Sequence, residues 1–491
     1  MNFRNIIGAT LAVFISGNVF AQYEEDVLRF SGAENSATAR FNGLGGQHTS
    51  MGGDLSSLYG NPAGLGMFSK SEFSLTTGFN NTKNNSDFLG VSASNSNFNP
   101  TINNIGIVFH SRASKFGDNT SKGLVSVNYG IGYQKNNFFR NDLKFSGVTN
   151  ENGLSDYLAD IANDEGVIPE NISREITYAG WQGYLIESGN GTTAPTNSYF
   201  PNTASDADQN LNIVRKGGSS NVDLSLGLNF GNNVYIGAGV GIASVNYTSQ
   251  ERLNEIGEFW SPATTYNANF LRSYDTQGSG VNFKIGAILK PAKEFRIGMS
   301  LETPTYYELT DNYYENINFN DPDNKRINGE QDWYSTYNLR TPLKLNGGVS
   351  YIIGNKGFLS ADINFVDYAG MKFSSTDRAL ETLTNNNIQS LYQEVVNFGV
   401  GGEYKVSNEF AVRAGYRYMG DPYQNSNVDN SINRYSGGFG YRVGNYSIDA
   451  AVMVYETKDG YSAYTLSGGN HPYASIDKNV TRFSLTFGAR F

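Results

Sequence analysis

The chain has 491 residues, a formal net charge of −10 and no cysteine. The acidic balance excludes a nucleic-acid partner, which wants a basic face. The lack of cysteine excludes disulfides, thiolate metal sites and a cysteine nucleophile. Length alone suggests several domains, but Gly 56, Tyr 32 and Phe 31 are high, Pro 12 is low, and the texture hardly changes after residue 71. Mean hydropathy is −0.41. With no long apolar run after the N-terminus, a helical membrane protein is excluded. A β-barrel is not, because its strands alternate apolar and polar residues.

Residues 1–21, MNFRNIIGATLAVFISGNVFA, read as a secretory signal. Arg4 supplies the positive start, Ile6 to Ile15 the apolar stretch, and Val19-Phe20-Ala21 a cleavage site. The mature chain is expected to begin at Gln22. The apolar stretch is too short for an anchor and gives way at once to Gln22-Tyr23-Glu24-Glu25.

Residues 43–66, GLGGQHTSMGGDLSSLYGNPAGLG, have neither a helical nor a strand period. Asn61-Pro62-Ala63-Gly64 forms a turn, with proline fixing φ and glycine freeing it. Leu44, Met51, Leu55, Leu58, Leu65, Met67 and Phe68 need burial. The segment is either a plug inside a barrel or a loop-rich extension, and the cost of exposed apolar residues favours the plug.

Alternation then takes over. Val222, Leu224, Leu226, Leu228 and Phe230 interleave with Asn221, Asp223, Ser225, Gly227 and Asn229. Period two puts such sets on opposite faces of a sheet. Strands are predicted at 72–80, 104–112, 122–134, 220–231, 233–248, 267–290, 294–303, 341–353, 357–367, 394–405, 409–419, 434–443, 446–457 and 479–491. That makes about fourteen, an even number that suits a closed bacterial barrel. Short turns at 231–233, 291–294, 354–357, 406–409 and 444–445 alternate with long segments at 81–103, 135–219, 249–266, 304–340, 368–393, 420–433 and 458–478. The segment 113–121 is intermediate. This sorting marks periplasmic turns and extracellular loops, and a soluble sandwich has no reason for it.

Two long segments carry helical spacing. Leu154, Tyr157, Leu158 and Ile161 share one face of 151–164. Leu380, Leu383, Ile388 and Leu391 suggest a second helix in 376–394, interrupted by Asn385-Asn386-Asn387. Such helices either cap the barrel mouth and greet a greasy ligand or simply pack on neighbouring loops. The final strand places Phe483, Leu485, Phe487, Ala489 and Phe491 on one face. A terminal phenylalanine after such alternation resembles the signal read by the barrel assembly machinery of the outer membrane.

Catalytic chemistry is sparse. His48, His110 and His471 lie far apart, and there is no GxSxG. His110 would need a serine on a neighbouring strand to serve an outer-membrane lipase. Gly237-Ala238-Gly239-Val240-Gly241 lies within a strand, so it leaves lumen space for a plug or ligand rather than forming a phosphate loop. Asp321-Pro322-Asp323-Asn324 lacks the calcium-loop pattern. No catalytic residue, metal or cofactor is assigned.

One set of residues carries a resemblance. Arg40-Phe41-Asn42-Gly43-Leu44-Gly45-Gly46, Gly53-Asp54, Asn61-Pro62-Ala63 and a first strand at Glu72-Phe73-Ser74-Leu75 together resemble the FadL/OmpP1/TodX family. Its members are outer-membrane transporters of long-chain fatty acids and other hydrophobic compounds. The specific match covers roughly 38–78, and Gly64 departs from it. The resemblance implies a fourteen-stranded barrel over 71–491 and a hatch over 22–70. It also implies ligand capture at extracellular loops, passage through an internal pocket and lateral release.

The predicted lumen face is no apolar tunnel. It carries Asp223, Lys284, Arg296, Glu302, Lys344, Asp362, Glu403, Arg413, Arg417, Arg442, Asp449, Arg482 and Arg490. A greasy pocket would then draw on the hatch, with Leu44, Met51, Leu55 and Leu58 as candidates. A fatty-acid carboxylate would need a cation, for which Arg413, Arg417, Lys284 and Lys344 are the candidates. Arg413 and Arg417 lie about 13 Å apart along one strand, so one headgroup meets only one of them. Both could instead brace the hatch. The expectation is therefore a monomeric, lipid-embedded importer. The alternatives are an anchor for secreted proteins at the outer membrane and an outer-membrane lipase.

Overall fold

The computed structural model describes residues 21–32, 37–46, 48–113, 120–150, 152–189, 198–424 and 428–491. The expected signal, apart from Ala21, lies outside the described residues, as do 114–119 of the intermediate connection and Gln47 of the glycine-rich stretch.

The wall is one antiparallel sheet of fourteen strands, four of them in two pieces. The strands are β1 (Glu72–Phe88), β2 (Val91–Arg112), β3 (Leu124–Phe138 and Asn141–Thr149), β4 (Ala207–Phe230), β5 (Val234–Glu258), β6 (Thr265–Leu289) and β7 (Phe295–Glu302 and Tyr306–Asn320). They continue as β8 (Arg326–Arg340 and Lys344–Ile353), β9 (Gly357–Asp367 and Lys372–Ser374), β10 (Glu394–Lys405), β11 (Phe410–Met419), β12 (Ile432–Val443), β13 (Tyr446–Tyr461) and β14 (Ala474–Arg490). The sheet closes where β1 pairs with β14, from Glu72 opposite Arg490 to Phe88 opposite Ala474. This pairing closes the sheet on itself, as a lipid setting demands.

Alternation within the membrane follows the sequence. Leu224, Leu226, Ile285, Met299, Leu359, Ile363 and Phe487 are exposed on the outside. Their strand neighbours Asp223, Ser225, Lys284, Ser300, Asp362 and Thr486 are buried inside. A belt of that size could not face water; it faces hydrocarbon.

The long segments differ from expectation. Most of 81–103, 249–266 and 304–340 is not loop but strand continuing beyond the membrane, with β1 and β2 meeting at Leu89-Gly90. Outside the bilayer both faces of a hairpin are wet, so the apolar alternation that reveals a strand disappears.

Among the described residues five α-helices accompany the wall: α1 (Ala21–Ser31), α2 (Ala39–Asn42), α3 (Leu154–Glu165), α4 (Glu175–Gln182) and α5 (Arg378–Leu391). Helix α3 buries Leu154, Tyr157, Leu158 and Ile161 in a cluster with α4 and the wall residues Phe270 and Phe319. Helix α5 is not interrupted at Asn385-Asn386-Asn387. Asn385 donates to the Glu381 and Phe373 carbonyls, and Asn387 to Glu24 of α1. Those bonds supply what a solvated asparagine run would seek from water.

Candidate ligand passage through the lumen

The chain after α1 fills the inside of the barrel. Two short helical turns, Leu55–Leu58 and Pro62–Met67, stack in the glycine-rich stretch. Asp54 caps the first turn through the Ser56 amide and accepts from the Thr38 hydroxyl at 2.9 Å. Asn61 caps the second through the Ala63 amide, with Pro62 at the first helical position. The Asn61 side-chain amide also donates to the Thr49 carbonyl at 2.7 Å and to Met299 on β7 at 3.3 Å. The Asn-Pro-Ala-Gly motif is thus one of the points where the hatch meets the wall.

The wall is cut to fit. A Cβ on Gly286 would stand 1.9 Å from Asn61 Oδ1, and one on Gly237 2.2 Å from the Pro62 carbonyl carbon. Gly298 faces Thr49 and Gly415 faces Leu44 in the same way. Gly237 of the Gly-Ala-Gly-Val-Gly run therefore leaves room for the hatch, one of its two expected uses. Contacts under 3 Å are ones that real Cβ atoms avoid, so these positions admit only glycine while the hatch is seated.

The hatch apolar candidates are packed. Leu55 and Leu58 join Tyr59, Leu65, Phe68 and Val108 of β2. Leu44 and Met51 join Phe41 and Phe358 of β9, and Met51 also lines an internal cavity of about 230 Å³.

Arg413 and Arg417 are held by different partners, whereas Lys284 and Lys344 flank Glu302, the strand partner of both. Arg413 bonds Glu403 at 2.8 Å and Asp449 at 2.7 Å, and Glu403 also takes Arg40 of α2 at 2.9 Å. Lys284 pairs with Asp223 and Lys344 with Glu302, 3.1 Å away. Arg417 donates to the Gly45 carbonyl at 3.1 Å and lines the smaller cavity. His48 spans hatch and wall, with Nδ1 2.7 Å from Asp362 and Nε2 2.8 Å from the Leu44 carbonyl. His110 is hydrogen-bonded through Nδ1 to Asn128 at 2.8 Å.

Above the hatch lies a second cavity of about 550 Å³. It touches the smaller one at Met419, Ile432 and Arg434. Ser31 of helix α1 and the following Gly32 line the smaller space, and Glu25, Leu28 and Arg29 of α1 the larger. The upper lining is aromatic and cationic. Arg215 and Arg272 face Glu251 at 3.9 and 3.2 Å, and Lys478 pairs with Asp459. Arg434 and Arg482 lie over the Tyr455 ring, 4.9 and 5.3 Å from its centre. Arg434 is buried, and no carboxylate pairs with it among the described residues. The lumen pattern points to Arg482, but Arg434 is missed, because its strand INRYSGGFGYRV alternates weakly.

The same cavity reaches a break in the wall. β2 pairs with β3 by backbone bonds only from Asn104 to Arg112. Beyond a kink at Phe139-Arg140, the outer half of β3 pairs with β4 alone. Side-chain amides span the seam instead. Asn97 donates to the Asp142 carbonyl at 3.0 Å and accepts from its amide at 3.1 Å, and Asn84 donates to Asn141 at 2.8 Å. Asn99, Phe138, Phe139, Arg140 and Asn141 line the cavity at this seam, while Phe98 and Ile102 are exposed on the outer face of β2.

Residues 206–491 match a family described as outer membrane protein transport protein (OMPP1/FadL/TodX). No curated protein matches the chain. Among solved structures, the chain is similar to a Pseudomonas aeruginosa FadL homologue, with TM-score 0.55 and 15% identity over 93% of this chain and 98% of that one. It is also similar to the P. putida toluene transporter TodX, with TM-score 0.51 and 15% identity over 94% and 99% of the two chains. At such identity the likeness is one of fold.

Proposed function

The chain belongs to the outer membrane protein transport protein family (OMPP1/FadL/TodX), and on that premise we propose that it imports hydrophobic small molecules bearing one acidic group. A long-chain fatty acid is the type case. The observation that carries the reading is the upper cavity. It holds aromatic rings for an apolar body, a buried arginine for a carboxylate, and a border on the broken seam of the wall. The ligand enters from the extracellular hairpins, rests in this cavity and leaves sideways between β2 and β3. In this reading passage is passive, down the ligand gradient.

In this reading the chain divides into a signal over 1–21 that is cleaved on export, a hatch over 22–70 and a barrel over 71–491. The barrel works as a monomer and is inserted by the barrel assembly machinery through its final strand. Arg434 and Arg482 hold the headgroup first. Arg417 receives it in the smaller cavity, beside Met51, with Lys344 nearby. Arg413 and Lys284 remain with their acids, because separating a buried ion pair leaves an uncompensated charge.

The test is binding of a long-chain fatty acid to purified protein by tryptophan fluorescence or calorimetry. Arg434→Gln and Arg482→Gln should each weaken binding about tenfold or more, since a hydrogen bond to a charged group contributes about 1.5–3 kcal/mol. The fatty alcohol of equal length should bind both variants and parent alike. Parent-like fatty-acid affinity in both variants would refute the headgroup assignment.

A further inference from the structure

A further pocket opens on the outside of the wall, facing the membrane rather than the lumen. It holds about 550 Å³ and is lined by Tyr306, Glu308, Asn338, Arg340, Lys372 and Ser374, among others. Here β7, β8 and β9 break at one level. Thr303-Pro304-Thr305 separates the halves of β7, and Thr341-Pro342-Leu343 those of β8. Proline cannot donate to a ladder, and two prolines on adjoining strands leave a notch.

Two cations face each other across that notch. Arg340 on β8 is the direct partner of Lys372 on β9, and Tyr306 on β7 is the partner of Arg340 on the other side. Their neighbours Leu339 and Phe373 are buried inside, so the cations point outward. Like charges directly opposite each other on neighbouring strands are destabilising. Neither forms an ion pair among the described residues, and Arg340 Nε is buried without a hydrogen-bond partner. Glu308 is a carboxylate of the pocket, and it too pairs with neither cation. The arrangement has the form of an anion site.

Height identifies the anion. On β8 the exposed apolar residues run from Ile353 at the periplasmic turn to Leu345. Eight residues of tilted strand rise about 20 Å, and Arg340 stands roughly 12 Å higher. The apolar belt of such barrels is about 25 Å tall, so Arg340, Lys372 and Tyr306 sit at the headgroup level of the outer leaflet. An aromatic ring at that level is the usual interface anchor. The anions found there are the phosphates of the leaflet's glycolipid.

We propose that Arg340 and Lys372, with Tyr306, form a binding site for a phosphate of lipopolysaccharide lipid A on the outer wall of the barrel. Arginine supplies the two-pronged contact and lysine a point charge. The acyl chains would lie on the apolar belt directly below.

Native mass spectrometry of the full chain in detergent tests this with three probes: bisphosphorylated lipid A, the same lipid without phosphate, and inorganic phosphate. The parent should retain the bisphosphorylated lipid and lose the dephosphorylated one. Arg340→Gln and Lys372→Gln should each weaken retention about fivefold, Lys325→Gln at a distant hairpin tip should not, and Glu308→Gln should strengthen it. Heat-modifiable migration checks that the variants fold, and the dephosphorylated lipid tests the idea with no variant at all. Equal retention of both lipids by the parent, or parent-like retention in Arg340→Gln and Lys372→Gln, would overturn the proposal. Displacement of the lipid by inorganic phosphate at equal concentration would reduce the pocket to a free-anion site and overturn its lipid assignment.

Discussion

Asn61 and Gly286 are the two halves of one fit, and a side chain on Gly286 is the sharpest way to part them. A Cβ there would meet Asn61 Oδ1 at 1.9 Å, so the hatch must shift while the wall, held by its ladders, stays. Gly286→Val should raise ion conductance in planar bilayers several-fold with unchanged heat-modifiable migration. Gly347→Val should not, because the atom nearest its Cβ lies 3.4 Å away on Ile363. Parent-like conductance in Gly286→Val would show that the motif does not hold the plug. The sequence makes the Asn-Pro-Ala-Gly turn visible through proline and glycine chemistry. It cannot say which wall glycines face it, because that depends on how a fourteen-stranded sheet staggers on closing. The charges behave likewise. Alternation assigns Arg413, Lys284 and Lys344 to the lumen, but their acids Glu403, Asp449, Asp223 and Glu302 come from other strands.

Helix α3 shows how the cap depends on one buried acid of β5. Glu255 accepts from the Leu154 amide at 2.9 Å, from Gln209 at 2.6 Å and from the Tyr266 hydroxyl at 2.9 Å. Replacing it by leucine strands three donors, each at about 1–3 kcal/mol. Hydrogen exchange of α3 amides should quicken by at least tenfold in Glu255→Leu while membrane-level strands stay protected; unchanged α3 protection would mean that apolar packing alone seats the cap. Burial pushes the Glu255 carboxyl above its usual range, against the pull of its donors. A carboxyl raised on folding stabilises most while protonated and loses that contribution as pH rises through its folded value. Protection factors of the α3 amides, corrected for the intrinsic pH dependence of exchange, should therefore be higher in mild acid than at neutral pH, and Glu255→Gln should flatten that dependence. Helix α3 is legible from Leu154, Tyr157, Leu158 and Ile161 because one of its faces is apolar. The hairpin extensions are not, since wet strands carry no alternation. Helix α1 is hidden because its burial is met by Tyr337, Phe373 and Tyr392, residues remote in sequence.

The whole molecule is a barrel wall, a seated hatch and, between β2 and β3, a seam whose outer half has no ladder. Phe491 is exposed at the end of β14, and its amide bonds the Ser71 carbonyl at 3.0 Å beside the closing pair of strands. Phe491→Asp should lower the heat-modifiable fraction in the outer membrane several-fold, and normal assembly would contradict the role given to the final strand. Removing 22–66 should leave a barrel of larger conductance, and equal conductance would contradict the hatch. The central claim is lateral exit between β2 and β3, and the absence of native cysteine makes it directly testable. Asn97 and Asp142 already touch across the seam. The double variant Asn97→Cys with Asp142→Cys can be locked by a short cleavable thiol crosslinker. Uptake of a labelled long-chain fatty acid by cells carrying this variant should fall to the level of cells lacking the protein when crosslinked, and recover on cleavage. Undiminished uptake through the locked seam would contradict the account.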